Sequence, residues 1–305
     1  MIKPRPLRPG DPVALIAPSS PVSEEKIELS IQSIRFLGLE PIVFPSCFMK
    51  NGYLSGRDEA RTKDVNDAFA DPDIRGIFCV RGGYGATRIL PMLDYESIRR
   101  NPKFFAGYSD ITALHIVFNK LCGFITYHAP MPSRGYAALD PFTLNSLFNA
   151  VFAGAQPGKV ENPPEESIET ICPGIARGEI TGGNLSVMTA ALGSPYEIDT
   201  REKILFIEEV DELPYRIDRS LTALKLAGKL EAAAGIILGT FSDMPEEDVD
   251  PADTLSLSQI FDQIIRPLDI PTVYNLRSGH IYPQIVIPMG MRAELNATMG
   301  TVAFV

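Results

Sequence analysis

The sequence predicts an α/β chain in two parts, a parallel-sheet domain followed by a mixed domain with a β-rich end. Three observations lead there. The first half alternates short apolar runs with stretches of helical periodicity, the pattern of strands joined by crossover helices. Near the middle, AGAQPGKVENPPEES replaces that pattern with Gly, Pro and acidic residues for longer than most connections inside a compact domain. The second half resumes the alternation and closes on three short apolar segments.

Taken in order, the strand candidates of the first half are VALIA (13–17), IVF (42–44), IRGIFCV (74–80), KFFAGY (103–108) and GFITY (123–127). Between them, residues 23–37 place Ile27, Ile31, Ile34 and Leu37 near helical spacing behind a capping Ser23, and 57–70, 86–93 and 110–121 read similarly. A further helical stretch at 140–153 ends the first domain, so we expect domain 1 over 1–153, a linker over 154–170 and domain 2 over 171–305. In domain 2, GGNLSVMTAALG, RSLTALKLAGKL and SQIFDQIIRPL read as helices. KILFIEE and AGIILGT read as strands, followed by PQIVIPMG, RAELNA and TVAFV.

The 305 residues are 45% hydrophobic and 22% charged, ordinary globular usage, with a net charge of -10. Nucleic acid is not an expected partner, because phosphate binders carry a basic stripe. The apolar run after Pro12 is too short for a signal-peptide core, and no later run is long enough to span a bilayer, so no membrane is expected and the cytoplasm is the expected location. Cys47, Cys79, Cys122 and Cys172 lie far apart without a C-x-x-C pair and read as reduced packing residues.

Histidine is scarce, with His115, His128 and His280 alone. None has the short spacing of a zinc peptidase, so neither metal nor cofactor is expected. In KFFAGYSDITALHIVF an apolar strand runs straight into a helix, with Ser109 at the junction, at the end of the sheet where open α/β folds bind ligands. The Asp110 amide would then lie in the first turn, unpaired and able to stabilise an oxyanion. Ile111 stands where the G-x-S-x-G signature requires glycine, and a serine before a helix is ordinarily a cap.

RGGYGATR (81–88) follows another strand, and its glycines allow a second oxyanion donor from Gly82 or Gly83, or simply a tight turn. A dinucleotide fingerprint would need glycine at Arg88. His115, six residues beyond Ser109 on a helix, points away from it. His128 ends a strand near the same sheet edge, as a lining or a structural residue. His280, in the loop RSGHIYPQ, is the preferred base. A base histidine needs a carboxylate partner, and ILFI is followed by Glu208 and Glu209, between which spacing does not choose; charges there are also an ordinary solvated turn.

RGGYGATR, GYSD, TGGNL, ILFIEEVDELPYRIDRSL and SGH followed by IPMG, in that order, resemble the LD-carboxypeptidases, a family that also includes the microcin C self-immunity hydrolases. The resemblance runs from about residue 10 to the C-terminus and no single motif carries it. It implies a Rossmann-like first domain, a β-rich second domain and a metal-free Ser-His-Glu triad assembled from both. By motif, Ser109 is the nucleophile, Glu208 the triad acid and His280 the base, with the amides of Asp110 and of the Gly82–Gly83 pair, Gly83 foremost, as oxyanion hole. It further implies a cytoplasmic homodimer that removes terminal D-alanine from a murein tetrapeptide, a small peptide partner.

Arg81, Gly82 and Asn184 are candidates to bind that substrate, and for its terminal carboxylate the sequence does not choose among Arg81, Asn184 and helix-terminal amides. Tyr108, Ser278 and Glu209 replace the Phe, Phe and Asp usual in the family, which alters pocket shape and removes no catalytic atom. Microcin-immunity relatives clamp an adenylate with an aromatic residue, typically Trp, and this chain has no Trp. A hydrolase of peptidyl or aminoacyl adenylates and a non-catalytic small-ligand-binding protein are the alternative readings.

Overall fold

The computed structural model describes residues 1–244 and 253–305. The chain divides into two compact units, Met1–Ala155 with Ile285–Gly290, and Gln156–Gln284 with Met291–Val305. The first unit contains β1 (Pro12–Ile16), α1 (Glu24–Phe36), β2 (Glu40–Val43), α2 (Asp58–Ala70), β3 (Gly76–Cys79), α3 (Ala86–Ile89), α4 (Tyr95–Arg100), β4 (Phe104–Gly107), α5 (Thr112–Val117), β5 (Thr126–His128) and α6 (Pro141–Phe148). The second contains β6 (Gly158–Val160), β7 (Glu169–Cys172), β8 (Ile175–Asn184), α7 (Leu185–Ala190), β9 (Ile204–Val210), α8 (Pro214–Leu226), β10 (Gly235–Ser242), α9 (Leu257–Ile264) and β11 (Thr272–Tyr274). β12 (Ile287–Met289) returns to the first unit, and β13 (Arg292–Asn296) and β14 (Thr301–Phe304) complete the second.

The first sheet runs β12-β5-β4-β3-β1-β2. β1 to β5 are all parallel, and β12 joins β5 antiparallel. β3 and β4 are buried along their whole length, as the apolar runs of a sheet covered on both faces require. The order β2-β1-β3-β4-β5 is a doubly wound one whose direction of travel reverses between β1 and β3, and ligands of such sheets bind beyond the carboxyl ends of the strands at that point. The loops leaving β1, β3 and β4 there are Ala17–Ser20, Val80–Gly85 and Tyr108–Ile111. Below them Phe69, Phe105, Phe118 and Phe124 interlock with centroids 5.0 to 6.0 Å apart, tying α2 to β4 and to the turns after α5; each such contact contributes about 1 kcal/mol beyond area burial. Helix α1 starts where Ser23 accepts the Lys26 N–H and buries Ile27 and Ile34.

The second sheet runs β6-β14-β13-β8-β9-β10-β11-β7, parallel from β8 to β11 and antiparallel on either side. Two features of the chain differ from a simple domain-linker-domain reading. The segment 154–170 contains β6 and the start of β7. Its Asn162 bonds the Asn275 carbonyl at 2.6 Å and accepts the Arg277 N–H at 2.8 Å, so it braces the approach to His280. PQIVIPMG was expected in domain 2, yet Ile285–Gly290 belongs to the first unit, with Ile285, Val286, Ile287 and Met289 buried there. Periodicity identifies a strand but carries no information on which sheet accepts it.

Candidate active site

In the first unit, β4 ends at Gly107, Tyr108 is still extended, and Ser109 turns into the left-handed region with φ 66°. A short 3-10 turn, Ser109–Ile111, then feeds α5. A non-glycine residue in that region costs on the order of 1 kcal/mol or more and is retained where surrounding structure enforces it. An N-capping serine has extended backbone and accepts an N–H from the first turn; Ser109 is left-handed, and neither the turn nor α5 is capped by a side chain. The junction therefore puts Ser109 in left-handed backbone just beyond the carboxyl end of β4.

The loop after β3 lies directly against this junction. A Cβ on Gly82 would stand 2.8 Å from Ser109 Cβ, 3.0 Å from its Oγ and 3.3 Å from the Asp110 nitrogen. Gly83 has φ 100°, and a Cβ there would overlap Ser20 Oγ. The missing side chains let the loop pack against Ser109 at Gly82 and against Ser20 at Gly83. Ser20, in the loop after β1, donates its N–H to the Gly82 carbonyl at 3.2 Å and accepts the Tyr84 N–H on its hydroxyl at 3.1 Å. Arg81 is exposed and its guanidinium donates to the Pro21 carbonyl at 2.7 Å.

The first unit's two histidines lie next to β4, His115 on α5 and His128 on the neighbouring β5. His115 is buried between Thr126 Oγ1 (2.8 Å from Nδ1) and the Gly107 carbonyl (2.9 Å from Nε2), and burial pushes its pKa down to about 4, so it is a neutral brace under the Ser109 turn. His128 is fully buried, edge-on to Tyr108 at 5.7 Å.

In the second unit, Glu208 lies on β9 with no exposed surface, and its Oε2 is 2.7 Å from Nδ1 of His280, itself only 10% exposed. A carboxylate at Nδ1 selects the tautomer with its proton there and leaves Nε2 as the basic nitrogen. Gly279 has φ 139°, and a Cβ on it would meet Thr240 Oγ1 at 2.5 Å and Glu208 Oε2 at 3.1 Å, so only glycine lets the loop bring His280 onto the carboxylate.

Glu209, the next residue, points away from Glu208 as strand alternation dictates. It accepts from Asn184 Nδ2 at 2.7 Å, from the Ser186 N–H at 2.8 Å and from its hydroxyl at 2.6 Å. Burial is the largest influence on Glu209 and raises its pKa. Asn184 in turn caps α7 by accepting the Val187 N–H at 3.2 Å, so the carboxamide expected to meet substrate is buried and engaged at both ends. Sequence reasoning missed Ser19, Ser20 and Arg61, which organise the loop after β3; the only sign of them was the short polar pair ending the first apolar run.

Comparison with known proteins finds matches over nearly the whole chain. A family model described as the LD-carboxypeptidase N-terminal domain matches residues 13–129, and one described as the LD-carboxypeptidase C-terminal domain matches residues 177–295. A Bacillus subtilis protein named "Probable murein peptide carboxypeptidase" is 38% identical over 98% of this chain and 93% of its own. The crystal structure of an MccF-like protein from Bacillus anthracis superposes with TM-score 0.87 at 27% identity, covering 100% of this chain and 99% of that one. That of a muramoyltetrapeptide carboxypeptidase from Oxalobacter formigenes superposes with TM-score 0.83 at 27% identity, over 96% and 97%.

Proposed function

Since the chain belongs to the LD-carboxypeptidase family of peptidases, we propose that it is a serine carboxypeptidase releasing terminal D-alanine from a murein tetrapeptide, with Ser109, His280 and Glu208 as its triad. The observation that carries the reading is the 2.7 Å bond between Glu208 and His280 Nδ1, which supplies an oriented base. Ser109 Oγ attacks the carbonyl of the residue before the D-alanine as His280 Nε2 takes its proton. The tetrahedral oxyanion is held by the N–H groups of Gly83 and Asp110. His280 then protonates the leaving amine, D-alanine departs, and a water activated by the same nitrogen hydrolyses the ester on Ser109. Exposed Arg81 is the candidate for the terminal carboxylate. Asn184 is left out of that role because its own hydrogen bonds occupy it.

Two of the relatives carry murein-peptide names, the probable murein peptide carboxypeptidase and the muramoyltetrapeptide carboxypeptidase, which supports the substrate class. The MccF-like structure favours a second reading, hydrolysis of an aminoacyl adenylate by the same triad; the absence of tryptophan removes the residue with which microcin-immunity relatives typically clamp the adenylate. Incubating the protein with the meso-diaminopimelate tetrapeptide and, separately, with an aminoacyl-sulfamoyl adenylate, then following both by mass spectrometry, decides between them. Tripeptide and D-alanine are expected from the first and slower or no cleavage of the second. Faster cleavage of the adenylate overturns the assignment. The reading also carries a homodimer working in the cytoplasm, the former testable by light scattering.

A further inference from the structure

We propose that the buried carboxylate of Asp110 is a positioning residue, a clasp that holds the glycine loop after β3 against Ser109 so that the oxyanion donors stay aligned. The proposal rests on the serine-peptidase reading and extends it from the backbone of Asp110 to its side chain. Asp110 is 3% exposed. Its Oδ2 accepts the Ser19 hydroxyl at 2.6 Å and the Ala86 N–H at 2.7 Å. Ser19 belongs to the loop after β1, Ala86 opens α3 at the end of the glycine loop, and Asp110 itself follows Ser109. One oxygen atom therefore ties together the three loops that leave neighbouring strands at the switch point of the sheet.

A buried carboxylate is an expensive way to fill space. It loses hydration that is recovered only through hydrogen bonds such as these, whereas an apolar side chain of similar volume would pack there without that loss. A buried guanidinium works on the same loop. Arg61 is fully buried, donates to the carbonyls of Pro18 and of Gly85 (the latter at 2.8 Å), and pairs with Asp58 at 2.5 Å. Asp58 is held in turn by Arg88, whose hydrogen bonds are the largest influence lowering the Asp58 pKa. With Ser20 on Gly82 and Tyr84, the loop is fastened at Gly82, Tyr84, Gly85 and Ala86. The fastening brackets Gly83, whose N–H must be held steady to act on an oxyanion.

The test is steady-state kinetics on the meso-diaminopimelate tetrapeptide with Asp110→Ala, Asp110→Asn and Ser19→Ala, each checked by circular dichroism and thermal melting. An amide oxygen at Asp110→Asn can accept the same two hydrogen bonds, so that variant should recover most of what Asp110→Ala loses. Expected are a kcat lower by about 10²-fold for Asp110→Ala, as for a misplaced oxyanion donor, and by about 3- to 10-fold for Ser19→Ala, with KM within about twofold in both. A purely structural role would lower the melting temperature and leave kcat per folded molecule at the parental value in Ser19→Ala and Asp110→Ala, which overturns the proposal. Asp110→Asn as slow as Asp110→Ala also overturns it, since charge rather than hydrogen bonding would then matter. If Asp110→Ala does not fold, Ser19→Ala and Asp110→Asn carry the same decision. Absence of turnover in the parent protein would instead strike the serine-peptidase reading itself.

Discussion

Glu208 and Glu209 are adjacent on one strand and serve opposite sides of it, Glu208 meeting His280 Nδ1 at 2.7 Å and Glu209 meeting Asn184 and Ser186. On the proposed triad, the pair separates catalysis from architecture within two residues. Glu208→Gln should keep the fold and lower kcat by about 10²- to 10⁴-fold, because an amide no longer stabilises the imidazolium or fixes its tautomer. Glu209→Gln should lower the unfolding free energy by about 1 to 3 kcal/mol through its lost charge-assisted hydrogen bonds and change kcat less than Glu208→Gln does. Kinetics and urea denaturation on the two variants check the division.

Gly279→Ala should affect both properties. The residue's φ of 139° is costly for alanine, and the new methyl would press on Thr240 and on the Glu208 carboxylate. Loss of stability by about 1 to 3 kcal/mol together with a kcat at least about tenfold lower is expected, read by denaturation and initial rates. Parental kcat would mean that the His280–Glu208 bond tolerates displacement.

Gly82→Ala acts on the loop beside Ser109. Its methyl would fall 3.0 Å from Ser109 Oγ and 2.8 Å from Ser109 Cβ, so Ser109 or the loop must shift by a few tenths of an ångström. A kcat lower by about 10- to 10²-fold is expected with a smaller change in melting temperature, measured on the same preparation.

His115 gives a pH dependence of stability. Its pKa is lowered from 6.5 to about 4 in the folded state by burial, so the folded state binds its proton less readily than the unfolded chain. The sign follows: its contribution is full above pH 6.5 and is lost as pH falls through the window from 6.5 to about 4, by up to about 3 kcal/mol. Urea midpoints measured at pH 7 and pH 4.5 should fall less steeply for His115→Gln than for the parent. An equal fall in both would show that His115 does not carry this part of the acid sensitivity.

The first sheet was legible because β1, β3 and β4 are short apolar runs, buried but for Pro12, separated by helices with clear starts, Ser23 among them. β8 was not. Its inward positions include Ala176 and Gly178, which are too small to raise an alternating signal, and its end was read as the start of α7. The choice of Glu208 over Glu209 needed the family resemblance, since a strand of unknown register does not say which of two neighbours faces the histidine loop. Ser109 was visible as a strand-helix junction, but its left-handed backbone was not, because serine at such a place more often caps a helix. Asp110, Ser19 and Arg61 were invisible as a group, since contacts between loops leaving different strands leave no periodic trace in a sequence.

The most direct test of the central claim is release of free D-alanine from the meso-diaminopimelate tetrapeptide, measured by mass spectrometry on EDTA-treated parent protein and on Ser109→Ala. The account predicts D-alanine and tripeptide in equal amounts from the parent and a rate at least about 10⁴-fold lower from the variant. Undiminished release by Ser109→Ala would contradict it, and so would activity of the parent that EDTA abolishes and added metal restores.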